Sequence, residues 1–534
     1  MEPVMSLPVN PFFWTLALVP VLFLLVVIMK LGWGVARAAP AGMVLALGIA
    51  VLFYRSSPAA LVYESVKGVW NAVTILLVVW PAVFSYELTC ASRGFDAIRC
   101  GIQALTRHKL MQILILGWIF PSFLQGITGF GVAVAVGAPL LLSIGVKPLY
   151  SIIIVLLCHS WGGTFGTLAL AWEALVEQSG VTSMEAAKAA FLAAAMIWFS
   201  NFVGVCLSCW FYGRWKGLKE IAPVVAVLTL MTGGGELLLA PVHATISNFL
   251  PSAAALFATF LLCRIPHYRR AWELSDSSII KEHGQQDSSG DVMGFHEAFL
   301  PYYVLTLVTV VCLLVPPVNR LLSQWKIGFS FPETVTGFGY TTRAEGCLSP
   351  MKPLTYAGTF LALSAMVSGV YYLGKGYLDK AGIRAAAVRT AEKCKSPTIA
   401  ITCFIIMSKF MGSSGQIHVL SQGIVSVLGH YYVIMAPFLG ILGTFITSSN
   451  MSANILLGNF QMSAATFLGI SPAVTLALQT AGGVLGTAFS PGCVIMGIST
   501  TGMTGAEGEI LRRIVPIAAG CGAVFGITAF LFLV

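Results

Sequence analysis

The chain has 534 residues, 57% of them hydrophobic and 10% charged, with a mean hydropathy of +0.87. A water-soluble domain of this size needs far more surface charge, so the composition points to a polytopic membrane protein. The formal net charge of +9 comes from Lys and Arg in short loops between apolar runs, a pattern that excludes a nucleic-acid-binding face.

Residues 11–30 are the first apolar run. The ten residues before it carry Glu2 and no basic side chain, so the run is read as a retained helix with its amino end outside, not as a cleaved leader. Runs long enough to cross a bilayer follow near 40–54, 68–88, 148–172, 187–211, 220–236, 242–263, 297–316, 353–373, 397–415, 472–497 and 510–534. With the first, that makes about twelve spans. Two more apolar pairs, 109–147 and 431–471, each have two arms joined by a polar tip, and both are read as re-entrant hairpins. Under this layout about 22 of the 30 Lys and Arg fall on one side, which the positive-inside rule makes cytoplasmic, and both termini lie outside. Full helix pairs in place of the hairpins would leave the same asymmetry.

The expected fold is therefore an all-α polytopic membrane protein with about twelve transmembrane helices and two hairpins. Residues 1–60 are accessory, 61–263 form a first repeat and 264–296 a flexible cytoplasmic linker, and 297–534 form a second repeat. The hairpins enter from opposite sides, so the repeats are inverted, an architecture of secondary transporters. Residues 317–352 read as an external loop and 416–430 as a short segment at the outer interface. Cys206 and Cys209 form a CxxC inside an apolar run with no nearby His, and they read as small helix residues. Glu87 and Glu236 fall near span ends, where exposure would account for them.

Candidate site residues cluster at polar breaks in otherwise apolar sequence. Gln125, Gly126, Thr128, Gly129 and Gly131 mark one tip, and Thr447, Ser448, Ser449, Asn450, Ser452 and Asn454 the other. His159, Ser160, Gly162, Gly163, Thr164 and Thr167 break the span 148–172. Gln479, Thr480, Gly482, Gly483, Thr487 and Ser490-Pro491 break 472–497. GGTFGT (162–167) answers GGVLGT (482–487), and Gly145-Val146-Lys147-Pro148 answers Gly469-Ile470-Ser471-Pro472. Irregular backbone is tolerated in a membrane where it lines a cavity, and half-helix amino ends suit a carboxylate. Small-residue helix packing also enriches Gly, Ser and Thr, but it does not call for two such clusters repeated at matched spacing. Lys409, inside the span 397–415, is a candidate partner for a substrate carboxylate, and His159 a candidate carrier of a coupled proton. No P-loop, HExxH or GxSxG with a plausible triad is present, so an enzyme is not expected, nor a cofactor or a metal site.

At QGITGFG (125–131), GRWKGLKE (213–220), APFLGILGTFITSSNMSAN (436–454), QTAGGVLGTAFSP (479–491) and GAEGEILRR (505–513) the chain resembles the L-lactate permease family of bacterial and archaeal carboxylate transporters. The resemblance covers most of the chain. It implies proton-coupled uptake of L-lactate, D-lactate or glycolate across the plasma membrane of a prokaryote, with a fold similar to the wider ion-transporter superfamily. The alternatives are another organic anion, longer or sulfonated, with different ion coupling such as sodium, and a passive anion channel or sensor. The chain departs from better-known members at Gln125, Asn450 and Thr487, where they carry Glu, Asp and Lys. All three departures remove charge from the expected site, and Gln and Asn cannot exchange a proton.

Overall fold

A computed structural model describes residues 7–29, 31, 33–128, 131–274, 277–280, 293–503 and 506–533. The chain is almost wholly helical, and ten of its described helices are long and apolar enough to cross a membrane, or up to twelve when bent pairs count as one span. Beside them stand short β-ribbons in the loop expected to be external, Ile327–Phe331 paired with Glu345–Met351 and Thr334–Val335 with Thr341–Thr342.

Two segments of the chain follow one plan. Each starts with a 34-residue helix, Pro58–Ala91 in the first and Lys380–Ser413 in the second, and these two pack along each other. A shorter helix follows in each, Gly94–Leu105 and Gln416–Leu428. Next comes a hairpin, with arms Lys109–Ile127 and Val132–Ser143 in the first half and Tyr432–Thr447 and Asn450–Leu468 in the second. A broken helix comes after that, Pro148–Gly163 with Gly166–Ser179, and Pro472–Thr487 with Pro491–Thr501. The last element is a long apolar helix, residues 183–212 in the first half and Glu507–Phe532 in the second.

The breaks follow from local chemistry. Pro stands at the first position of Pro58–Ala91, Pro148–His159, Pro472–Thr487 and Pro491–Thr501, where its missing N–H costs nothing. Gly180 and Gly469 end their helices in the left-handed conformation, with φ 63 and 67°. Helix 183–212 stops at Gly213 and Arg214, whose backbone leaves the helical region.

This last helix shows how the hairpins are oriented. At 1.5 Å per residue it is about 45 Å long, more than a bilayer core. Near its start, Glu185 accepts a hydrogen bond from Ser471 at the base of the second hairpin. At its end, the Tyr212 carbonyl accepts from Ser277 and the Tyr212 hydroxyl accepts from the Leu274 N–H. The same short segment holds the base of the first hairpin, where Lys109 N–H donates to Trp272 O at 3.0 Å and Lys147 N–H to Ile279 O at 2.7 Å. The hairpins therefore enter from opposite ends of the molecule.

Two expectations change. The described part of the segment read as a flexible linker is docked: Trp272 stacks on His108 with centroids 4.8 Å apart. Residues 275–276 and 281–292 lie outside the described residues. The span read as 397–415 is the carboxyl half of Lys380–Ser413, because Pro397 is accommodated within that helix.

Candidate functional site

Both hairpin tips and both broken helices open onto one cavity of about 450 Å³. Its polar wall is made by Gln125, His159, Gly163 and Thr167 from the first half and by Thr447, Ser448, Ser449, Asn450, Ser452 and Thr487 from the second. Helices Val132–Ser143, Asn450–Leu468 and Pro491–Thr501 begin at its edge, so the partial positive charge of their amino ends lies beside the space, with Ser449 and Ser448 capping the Ser452 and Gly492 N–H groups. In the first broken helix, Thr167, Leu168 and Ala169 run consecutively in the left-handed region, with φ between 51 and 64°. Each such residue costs on the order of 1–2 kcal/mol, so packing must hold this turn in place.

A knot of polar side chains centred on Asn450 joins the halves. The Asn450 amide donates toward Gly163 O and Thr164 Oγ1, both at 3.1 Å, while Thr164 Oγ1 and Thr480 Oγ1 lie 2.8 Å apart. Asn454 donates to Thr480 Oγ1 at 2.9 Å and to Ala171 O at 3.0 Å. Gly483 leaves room for this knot, since a methyl group there would stand 1.8 Å from Asn450 Oδ1. Gly482 serves the same hairpin, as its added carbon would meet Pro437 O at 2.0 Å.

The remaining expected residues stand behind the wall. Gly126 packs on Asn248 and Phe249, and Gly162 lies between Gln125 and Asn248. Thr128 and Ser160 are buried and bond to their own helices. Gln479 is buried and accepts from Gln461 at 2.9 Å. Gly129 lies outside the described residues. His159 faces the cavity with Nδ1 2.7 Å from Val155 O, the geometry of an Nδ1–H donor that leaves Nε2 as the other ring position.

Lys409 does not line the cavity; the buried Glu64, on the helix packed along its own, pairs with Lys67 at 3.0 Å. The cation at the rim is Lys393, which lies in the first half of Lys380–Ser413, ahead of the span read from sequence as 397–415. Lys393 and Arg389 hold Glu87 at 2.5 and 2.7 Å, and Lys393 lies over the Tyr86 ring at 4.9 Å. Glu87 is thus buried and paired, not exposed. Glu236 is buried as well, because the chain turns inward after it and Asn248 covers it, donating to Oε2 at 2.8 Å. Among the described lining residues there is no carboxylate; the ionisable ones are His159, Lys393, Tyr86 and Cys493.

Residues 14–534 match the family profile described as L-lactate permease. The chain is similar to the L-lactate permease of Halalkalibacterium halodurans, 26% identical over 97% of this chain and 96% of that one. It is equally similar to the glycolate permease GlcA of Escherichia coli, 26% identical over 96% and 94% of the two chains. The L-lactate permease of Streptococcus iniae is 29% identical over 76% of this chain and 80% of its own.

Proposed function

The chain belongs to the L-lactate permease family, and from that premise we propose that it is a secondary active transporter of small 2-hydroxy monocarboxylates, L-lactate, D-lactate or glycolate, moved in symport with protons. The observation that carries this reading is the meeting of two oppositely entering hairpin tips at one polar cavity, joined through Asn450. Such a site can be reached from either side as one half rocks against the other. The proposed site residues divide into two roles. Thr447, Ser448, Ser449, Ser452, Thr487 and Gln125 face the space and supply hydrogen bonds to a carboxylate and a hydroxyl. Asn450, Thr164, Thr480 and Asn454 set the distance between the halves. Lys393 and the three helix amino ends favour an anion over a neutral solute.

A second reading, a longer organic anion with a different coupling ion, is favoured by one feature: the described cavity wall holds no carboxylate. Counterflow of labelled L-lactate in proteoliposomes, competed by glycolate, D-lactate and longer or sulfonated acids, separates the two. Competition by the short hydroxy acids is expected. Counterflow blocked by the longer acids alone would overturn the lactate assignment, and no counterflow with any acid would overturn transport altogether.

A further inference from the structure

Behind the first hairpin tip lies a second group of buried polar side chains that the cavity wall hides. Glu236 is 1% exposed, and its single hydrogen bond comes from the neutral amide of Asn248 at 2.8 Å. Among the described residues, Glu236 Oε1, Asn248 Oδ1, Ser252 Oγ and Gln125 Oε1 have no hydrogen-bond partner. Gln125 belongs to both places, since it lines the cavity and also touches the partition in front of Glu236. That partition is Gly162. A carbon placed on it would stand 2.8 Å from Gln125 Cγ and 3.4 Å from Asn248 Oδ1. Gly126, one residue from Gln125, is as close to Asn248: its added carbon would lie 3.2 Å from Oδ1.

On the other flank the same helix turn borders an apolar groove lined by Trp198, Leu230, Leu237, Leu238 and Pro251. Among the described residues, that groove's lining brings no charged, hydroxyl or amide side chain. The elements packed on this turn are the helix Ser183–Thr229, the segment Leu230–Gly234, the helix Ala244–Ser247 and the helix Phe249–Leu262, whose Pro251 faces Gly235. Among the described residues none of them brings a charged side chain into ion-pair distance of Glu236. The ionisable groups at the cavity end of the route are His159, held by the Val155 carbonyl, Lys393 paired to Glu87, Tyr86 and Cys493, while His243, in the turn before Ala244–Ser247, is exposed.

An isolated carboxylate in such surroundings is too costly to keep charged, so it holds a proton until a polar path opens. We propose that Glu236 is the proton carrier of this transporter, exchanging with cavity water admitted past Gly162, for which the unpartnered oxygens of Gln125 and Asn248 are ready acceptors. The proposal rests on the proton-symport reading and supplies the acid that the cavity wall lacks. One proton leaves the Glu236 carboxyl for cavity water on one side of the membrane and one is taken up on the other, for each monoanion carried. The carboxyl group is regenerated and net charge is not moved. His159 then acts as a neutral hydrogen-bonding wall residue.

The test is Glu236→Gln in proteoliposomes, read by two assays. Counterflow of labelled L-lactate needs no net proton movement and should persist. Accumulation driven by an imposed pH gradient, about tenfold per pH unit for one-proton symport, should fall to no accumulation. Undiminished accumulation by the variant, with wild type active in both assays, would overturn the role of Glu236 alone. Wild type driven by a sodium gradient at constant pH, and not by pH, would overturn proton carriage at this site. Wild type with no counterflow would instead sink the transport reading. If Glu236→Gln does not fold, Glu236→Asp serves in its place: coupling should remain with a displaced pH midpoint, and an unmoved midpoint would overturn the proposal.

Discussion

Asn450, at the tip of the second hairpin, lies 3.1 Å from the Gly163 carbonyl in the broken helix of the first half. The bond crosses from one half of the molecule to the other, and any alternating motion must keep it, stretch it or break it. Removing the amide with Asn450→Ala leaves Gly163 O, Thr164 Oγ1 and Thr480 Oγ1 short of a donor. The expected cost is about 1–3 kcal/mol of stability together with loss of uptake. Thermal unfolding of purified protein and lactate uptake check the two parts separately.

Restoring the family's acids tests the neutral character of the site. Glu at Gln125 and Asp at Asn450 would place titratable groups on a wall that has no carboxylate among its described residues. Uptake by Gln125→Glu and Asn450→Asp should therefore show a pH profile displaced from that of wild type. Superimposable profiles would mean that these positions play no part in proton handling.

Lys393 is half exposed at the cavity rim, so its attraction for an anion is partly screened. Lys393→Ala should raise KM about fivefold with little change in kcat, and the difference should shrink in high salt. Glu87→Gln acts the other way on the same cluster. It frees Lys393 to face the cavity, and at the same time removes a buried anchor worth on the order of 1–2 kcal/mol. Its KM should fall while its thermal midpoint drops.

Gly482→Ala should be among the most damaging single-methyl changes in the chain. The added carbon would lie 2.0 Å from the Pro437 carbonyl, and Gly440 is pressed as closely on Gln479 O, at 2.1 Å. Neither contact is with a flexible side chain, so the hairpin must move away from the broken helix. A loss of about 1–3 kcal/mol or more is expected, measurable as a lowered unfolding temperature.

The base of the first hairpin predicts a pH effect on stability. His108 caps the arm, accepting at Nδ1 from Met111 N–H at 3.2 Å, and it stacks on Trp272. Burial pushes its pKa below the usual histidine value, with Glu220 pulling the other way. A group whose native value is lowered contributes fully above its unfolded value of about 6.5, and that contribution is lost as the pH falls through the native one. The thermal midpoint should decline on acidification below about 6.5. His108→Asn, which can still cap the helix, should flatten the decline.

The polar clusters that mark the cavity were legible because they interrupt apolar sequence, where each break needs a reason. Gln125, His159, Thr447 and Asn450 all reach the cavity from positions the sequence singled out. Lys393 and Lys409 were misread for one cause, the assumption that a helix spans only the bilayer. Lys380–Ser413 is 34 residues long, so Lys393 sits within the helix at the cavity rim and Lys409 lies outside the cavity lining. Glu236 was read as exposed because the inward turn through Asn248 depends on tertiary packing, which no local pattern announces.

The order of elements has a consequence in simple parity. Each matched segment crosses the protein three times, by its long helix, its broken helix and its last helix, while its hairpin returns to the side it came from. Four further passages join them, residues 215–239, Ala244–Leu262, Leu300–Leu314 and Ala357–Gly374. An odd count followed by an even one starts the second segment on the face opposite the first. Deleting any one of the four joining helices would bring both tips in from the same side, and the shared cavity could not form.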